Sequence, residues 1–193
     1  MDILRPYILP VPQEMQALRG RDRSGQLSRL ARRAVQLSAE RSGAVLEAMH
    51  SRPDGCPIPE NGIFWSLSHK PAYVAGVVAN GPVGIDVEPV RPVERKLLHR
   101  VADEMERSLS LESDLFFFRL WTAKEAVVKA AGGRYPDIFR CRVIEIPDER
   151  NLIVRFGNKR WAIGQFYFDD HVAAVVTNGM PVDWRIGTIQ QGV

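Results

Sequence analysis

Val74-Ala75-Gly76-Val77-Val78 returns late in the chain as Val172-Ala173-Ala174-Val175-Val176. Both runs are short, apolar and rich in valine, the composition of a strand buried in a core. Each follows a helical stretch and another strand, so the echo points to two similar α+β halves packed together. The turn Asn80-Gly81-Pro82 closes the first copy. It places the boundary near residues 81–83, with an N-terminal half at 1–82 and a C-terminal half at 83–193. The expected fold is α+β with two pseudo-symmetric halves, and the active site is expected in the cleft at their interface.

Working outward, residues 25–49 read as a helix, with Leu27, Leu30, Ala31, Ala34, Val35 and Leu37 at helical spacing. Asp54-Gly55-Cys56-Pro57-Ile58-Pro59 breaks the chain into a loop. Residues 63–67, 72–79 and 83–88 read as strands. A polar helical stretch at 93–108 leads into a stronger helix at 112–131, which Gly132-Gly133 stops. Four more strands follow, near 142–146, 152–156, 161–168 and 171–177.

The chain has 193 residues, 45% hydrophobic and 25% charged, as expected of a globular protein with a sizeable core. Its apolar runs are far shorter than the roughly 20 residues a membrane helix needs, so no membrane association is expected. Met1-Asp2-Ile3-Leu4-Arg5-Pro6 lacks the basic start and apolar stretch of a secretory signal, and a cytoplasmic location is expected. Cys56 and Cys141 have no ligand-spaced Cys or His beside them, which argues against zinc; a disulfide between them stays open to sequence, and a cytosolic setting favours two free thiols. The net charge is +3, with arginines gathered at positions 19, 21, 23, 29, 32 and 33. Guanidinium forks suit phosphate, yet the same cluster also fits a solvated helix face or nucleic acid.

Three clusters carry chemistry. In Val83-Gly84-Ile85-Asp86-Val87-Glu88, strand alternation sends Asp86 and Glu88 to one face and Ile85 and Val87 to the other. Two like charges on one face call for a cation, which a hard metal bound through oxygen would supply; a charged face in water is the alternative. In Trp121-Thr122-Ala123-Lys124-Glu125-Ala126-Val127-Val128-Lys129, Trp121, Glu125 and Lys129 share one helix face. An exposed Glu–Lys pair, contributing about 0.3–0.5 kcal/mol, is the plainer reading. The neighbouring Phe116, Phe117, Phe118 and Leu120 instead imply charges set in an apolar helix, which need a partner. In Trp65-Ser66-Leu67-Ser68-His69-Lys70, a hydroxyl, an imidazole and an ammonium follow one another at a strand end, and all three can donate to phosphate.

In this order, Ser68-His69, Gly84-Ile85-Asp86-Val87-Glu88 and Trp121–Lys129 resemble the signatures of the phosphopantetheinyl transferases, specifically the two-half, surfactin-synthetase type. The resemblance runs from about Arg23 to Thr177. It implies transfer of the 4′-phosphopantetheine arm of coenzyme A to a serine of an apo acyl or peptidyl carrier protein, with release of 3′,5′-ADP. It further implies Asp86, Glu88 and Glu125 as ligands of Mg²⁺, or of Mn²⁺, and Glu125 as candidate base for the serine hydroxyl. Lys124 and Lys129 would contact phosphate and stabilise the 3′,5′-ADP leaving group. Arg23, Ser68, His69 and Lys70 would contact coenzyme A. A monomer with an internal pseudo-two-fold is expected, with no nucleic-acid partner.

The chain departs from the pattern in three ways. Gly55-Cys56-Pro57 stands where many relatives have Gly-Lys-Pro, removing one phosphate contact that Lys70 would replace. The segment before Arg23 is shorter, and the whole chain is shorter than its relatives. Arg95, Lys96 and Arg100, with Leu97 and Leu98 between them, offer a docking surface for an acidic carrier. Two other readings stay open: a degenerate paralogue that binds coenzyme A without transferring from it, and a basic nucleic-acid-binding protein.

Overall fold

A computed structural model describes residues 1–188. The chain divides into two compact units, one of Met1–Pro82 with the segment from Met180 onward, the other of Val83–Gly179. In the first unit, β1 (Tyr7–Pro10), the single-turn α1 (Gln13–Gln16) and α2 (Gly20–Ser42) precede β2 (Phe64–His69) and β3 (Tyr73–Ala79). β3 lies between β2 and β1, antiparallel to both. Leu27, Ala31, Ala34, Val35 and Ala39 form the buried stripe of α2. The helix rests close on β3 because Gly76 has no side chain: a Cβ there would overlap the Val35 amide nitrogen. Where β1 no longer covers β3, the Val78 N–H donates to Ser38 Oγ on α2 at 3.1 Å.

α2 begins and ends earlier than the expected 25–49. Gly43, in the left-handed region at φ 64°, closes it, and the Ala44 N–H returns to the Ala39 carbonyl at 2.9 Å. The chain beyond is a folded loop instead of helix. Glu60 accepts from the amides of Glu47 (2.6 Å) and Met49 (3.0 Å), and Trp65 Nε1 donates to the Ile58 carbonyl at 3.1 Å.

The second unit comprises β4 (Ile85–Pro89), α3 (Arg95–Val101), α4 (Glu104–Arg107), α5 (Asp114–Ala130), a 3₁₀ turn (Tyr135–Arg140), β5 (Arg142–Glu145), β6 (Asn151–Phe156), β7 (Lys159–Phe168) and β8 (His171–Val176). Its strands form an antiparallel sheet in the order β4-β8-β7-β6-β5. The single helix expected at 93–108 is two short ones, because Ala102 is extended and Asp103 starts α4 with a reciprocal capping box to Glu106. Ser113 caps α5 by accepting from the Phe116 N–H at 3.0 Å. Phe116, Phe117, Phe118, Leu120, Ala123 and Val127 on α5 are buried with Leu152, Val154, Ile163, Val172 and Val176 of the sheet. Full burial of each large side chain stabilises by about 1.5–3 kcal/mol.

The last segment leaves the second unit at Met180, short of the expected 83–193 extent. The Leu4 N–H donates to the Pro181 carbonyl at 2.9 Å, Arg41 pairs with Asp183 at 2.8 Å, and β9 (Arg185–Ile186) runs parallel to β1. In each unit a later strand lies beside the first, β3 beside β1 and β8 beside β4, although the second unit has three helices and four strands where the first has a single hairpin. Those two closing strands carry the echoed valine-rich runs. Among the described residues no helix is long and apolar enough to cross a membrane.

Candidate active site

The candidate site in the second unit is built on β4 and α5. Gly84, just before β4, faces the helix: a Cβ there would overlap the Ala126 carbonyl and stand 2.7 Å from the Ala130 nitrogen. Strand alternation then turns Asp86 and Glu88 to the same side as Gly84, toward α5. Both are buried, at 3% and 8% exposure, which rules out the charged face in water. Lys129 Nζ donates to Asp86 Oδ1 at 2.8 Å and to the Ile85 carbonyl at 2.9 Å. Trp121 Nε1 donates to Glu88 Oε1 at 3.1 Å. Trp121, Glu125 and Lys129 succeed one another at four-residue intervals on one helical stripe, so the two outer residues bracket the half-buried Glu125 on the side facing β4.

Among the described residues no three His, Cys, Asp or Glu side chains gather into a metal cluster. The donor chemistry nonetheless suits Mg²⁺: three carboxylates and no soft ligand, on elements packed against each other. The Lys129 ammonium balances the Asp86 charge at 2.8 Å. Lys129 spends two of its three N–H groups on Asp86 and Ile85 and is partly exposed, which leaves one for an anionic oxygen.

Lys124 is elsewhere. Expected at phosphate, it is 1% exposed, and its ammonium donates to the Val101 carbonyl at 2.6 Å and to Glu106, 2.7 Å from Oε1 and 2.9 Å from Oε2. Its charge is thus paired with Glu106 inside the unit, shielded from solvent. Its neighbour Glu125 is one position, or about 100°, further round the helix, and that turn separates a buried structural lysine from the candidate carboxylate. Glu106 went unmarked in the sequence. Its only signal was the Asp103-x-x-Glu106 capping pattern, which reveals a helix start but not the lysine opposite.

In the first unit, Ser68 and His69 end β2, opposite Ala75 and Val74 of β3, and Lys70 begins the turn, where its N–H donates to the Tyr73 carbonyl at 2.8 Å. Ser68 is buried, while His69 and Lys70 are half-buried. Arg23, expected ahead of the first long helix, lies inside α2, in its first turn and half-buried. In its loop the Cys56 N–H donates to Asp54 Oδ1 at 3.1 Å. On α3, Leu98 is buried whereas Leu97 is exposed, and the Arg100 guanidinium stacks over Phe139 at 5.0 Å. Cys141, wholly buried, has its thiol pKa pushed up to about 12 by loss of hydration.

Comparison with known proteins adds a second line of observation. The 4′-phosphopantetheinyl transferase superfamily matches residues 82–176, the stretch that contains β4, α5 and the sheet. The 4′-phosphopantetheinyl transferase psf-1 of Bacillus pumilus is 38% identical over 73 residues, covering 35% of this chain and 31% of that protein. The 4′-phosphopantetheinyl transferase gsp of Aneurinibacillus migulanus is 34% identical over 83 residues, 40% of this chain and 35% of that one. The 4′-phosphopantetheinyl transferase HetI of Nostoc sp. is 28% identical over 136 residues, 62% of this chain and 54% of its own. The chain thus spans about a third to a half of the length of these curated relatives. Residues 82–176 are thus a domain of the 4′-phosphopantetheinyl transferase superfamily.

Proposed function

We propose that this protein transfers the 4′-phosphopantetheine arm of coenzyme A to a serine hydroxyl of an apo carrier protein, releasing 3′,5′-ADP, with Mg²⁺ as cofactor. The observation that carries the reading is the pair of buried carboxylates, Asp86 and Glu88, turned to the helix stripe that holds Glu125. Burying two acids on one strand face costs several kcal/mol each unless cations and donors answer them. A nucleic-acid surface has no use for such acids.

Asp86, Glu88 and Glu125 would hold the metal. When bound, the ion would neutralise charge on the pyrophosphate of coenzyme A. Glu125 accepts the proton of the carrier serine, directly or through water, as its oxygen attacks the phosphorus bearing the pantetheine arm. Lys129, with its remaining N–H, stabilises the charge left on 3′,5′-ADP. Trp121 keeps Glu88 turned toward the helix, and Gly84 lets the helix come close enough for these contacts. Arg23, Ser68, His69 and Lys70 in the first unit contribute contacts to the phosphates of coenzyme A. The placement of β3 beside β1 and of β8 beside β4, both carrying the echoed run, supports two pseudo-symmetric halves.

Calorimetric titration with coenzyme A, with and without Mg²⁺, tests the binding half of this reading. Affinity should rise at least about tenfold with Mg²⁺, and Asp86→Asn should abolish that rise. Equal affinity with and without the ion in the parent protein would count against the metal role.

A further inference from the structure

Lys124 and Glu106 form a polar node inside the second unit that the chemistry above does not use. The buried Lys124 ammonium donates to the Val101 carbonyl and to Glu106, with which it forms an ion pair. Glu106, 2% exposed, also accepts from the Val143 N–H at 2.7 Å through Oε1 and from the Asp103 N–H at 3.0 Å through Oε2. One ion pair therefore ties α5 to the end of α3, the start of α4 and the start of β5. At the rim, Arg142 pairs with Asp103 at 2.8 Å and extends the same node.

We infer that Lys124 is a positioning residue, which with Glu106 fixes the rotation of α5 so that Trp121, Glu125 and Lys129 face β4, and that it does not touch coenzyme A. The helix has polar anchors in two directions: Lys124 to Glu106 on one side, Trp121 and Lys129 to Glu88 and Asp86 on another. Apolar side chains alone resist rolling weakly, since neighbouring packings differ little in buried area. A roll of about 20° would carry a group roughly 6 Å from the axis through about 2 Å. A displacement of about 1 Å already costs on the order of a hundredfold in rate where geometry matters. The burial of a charged pair, seldom a net gain in stability, is accounted for by this orienting role. The inference leans on the proposed function only in supposing that the stripe facing β4 is the working face.

The test compares the parent protein with Lys124→Met, Glu106→Gln and the double variant. Lys124→Met alone leaves a buried unpaired carboxylate and should lower Tm by on the order of 10 °C. In the double variant, the glutamine can still accept from Val143 and donate to Val101, and more than half of that loss should return. Three readouts decide the matter: Tm, coenzyme A affinity with and without Mg²⁺, and the NMR signal of the Trp121 indole N–H that bonds Glu88. At recovered Tm, coenzyme A affinity without Mg²⁺ should stay within about threefold of the parent, while its rise with Mg²⁺ should shrink and the Trp121 indole proton should shift and exchange with solvent at least about tenfold faster. An indole signal unchanged in the double variant would overturn the orienting role. A tenfold or greater loss of coenzyme A affinity without Mg²⁺ at recovered Tm would overturn the claim that Lys124 leaves the coenzyme alone. Should Lys124→Met not fold, Glu106→Gln and the double variant carry the comparison. A parent that binds no coenzyme A would contradict the proposed function, and the indole signal would still decide this inference.

Discussion

Asp86 and Glu88 are acids taken out of water on one face of one strand, and their contacts show how the fold bears that cost. A lysine answers one and an indole N–H the other. Replacing Lys129 by Met should destabilise the protein by about 1–3 kcal/mol, discounted because the lysine is partly exposed, and should slow transfer about a hundredfold. A matched pair of melting curves and rate measurements checks both effects. Thiol chemistry probes burial independently of activity. Cys141 is buried and its pKa is about 12, so at pH 8 only on the order of one molecule in ten thousand carries the thiolate. Cys56 is half-buried in a loop. A thiol reagent should therefore label one cysteine in the native protein and two after denaturation, with peptide mapping placing the fast one at Cys56. Two fast thiols in the native state would contradict the burial of Cys141.

At the scale of elements, the close approach of α5 to β4 depends on Gly84. Gly84→Ala would drive a methyl into the Ala126 carbonyl, a backbone atom that cannot swing aside. The expected cost is about 1–3 kcal/mol by overpacking, with transfer reduced further than stability because the helix stripe is pushed off the carboxylates. Glu60 gives a pH-dependent counterpart in the first unit. The Glu47 and Met49 amides hold its carboxyl below the usual carboxylate range, so its contribution is present above that range and is lost as pH falls through the lowered value. In Glu60→Gln the stability of the 44–63 loop should no longer weaken over that acid window, as followed by hydrogen exchange of the 47–49 amides.

Legibility in the sequence differed from element to element. β2, β3 and the strands of the second sheet were readable because valine-rich runs alternate between clear turns. β1 was hidden because Pro6, Pro10 and Pro12 punctuate it, and proline is a poor advertisement for a strand. β9 is two residues long, too short for any periodicity. The end of α2 was overrun because the pattern past Gly43 stays helix-like, whereas a single left-handed glycine decides the stop. In the site, Asp86, Glu88, Glu125 and Lys129 could be picked out because their spacing is local to one strand and one helix. The role of Lys124 could not, because it depends on Glu106, eighteen positions earlier and on another helix.

For the whole molecule, the chain's return at Met180 has a measurable consequence. Its last described segment supplies β9 to β1, and Asp183 to Arg41. A chain ended at Gly179 should exchange its Leu4 and Ile8 amides far faster, while β4 to β8 keep their protection. Loss of protection in the second sheet instead would contradict the division at Met180. The charge of the whole molecule, +3, favours an acidic partner at long range, so transfer to an acidic carrier should slow as salt is raised.

The most direct test of the central claim is intact mass spectrometry of apo carrier proteins from fatty acid, polyketide and peptide synthesis, each incubated with this protein, coenzyme A and Mg²⁺. A carrier should gain the mass of one phosphopantetheine, and the gain should fall by at least about a hundredfold with Glu125→Gln and vanish with chelator. No gain on any carrier, from a protein that still binds coenzyme A, would contradict the transferase account and favour a coenzyme A-binding relative that has lost the reaction.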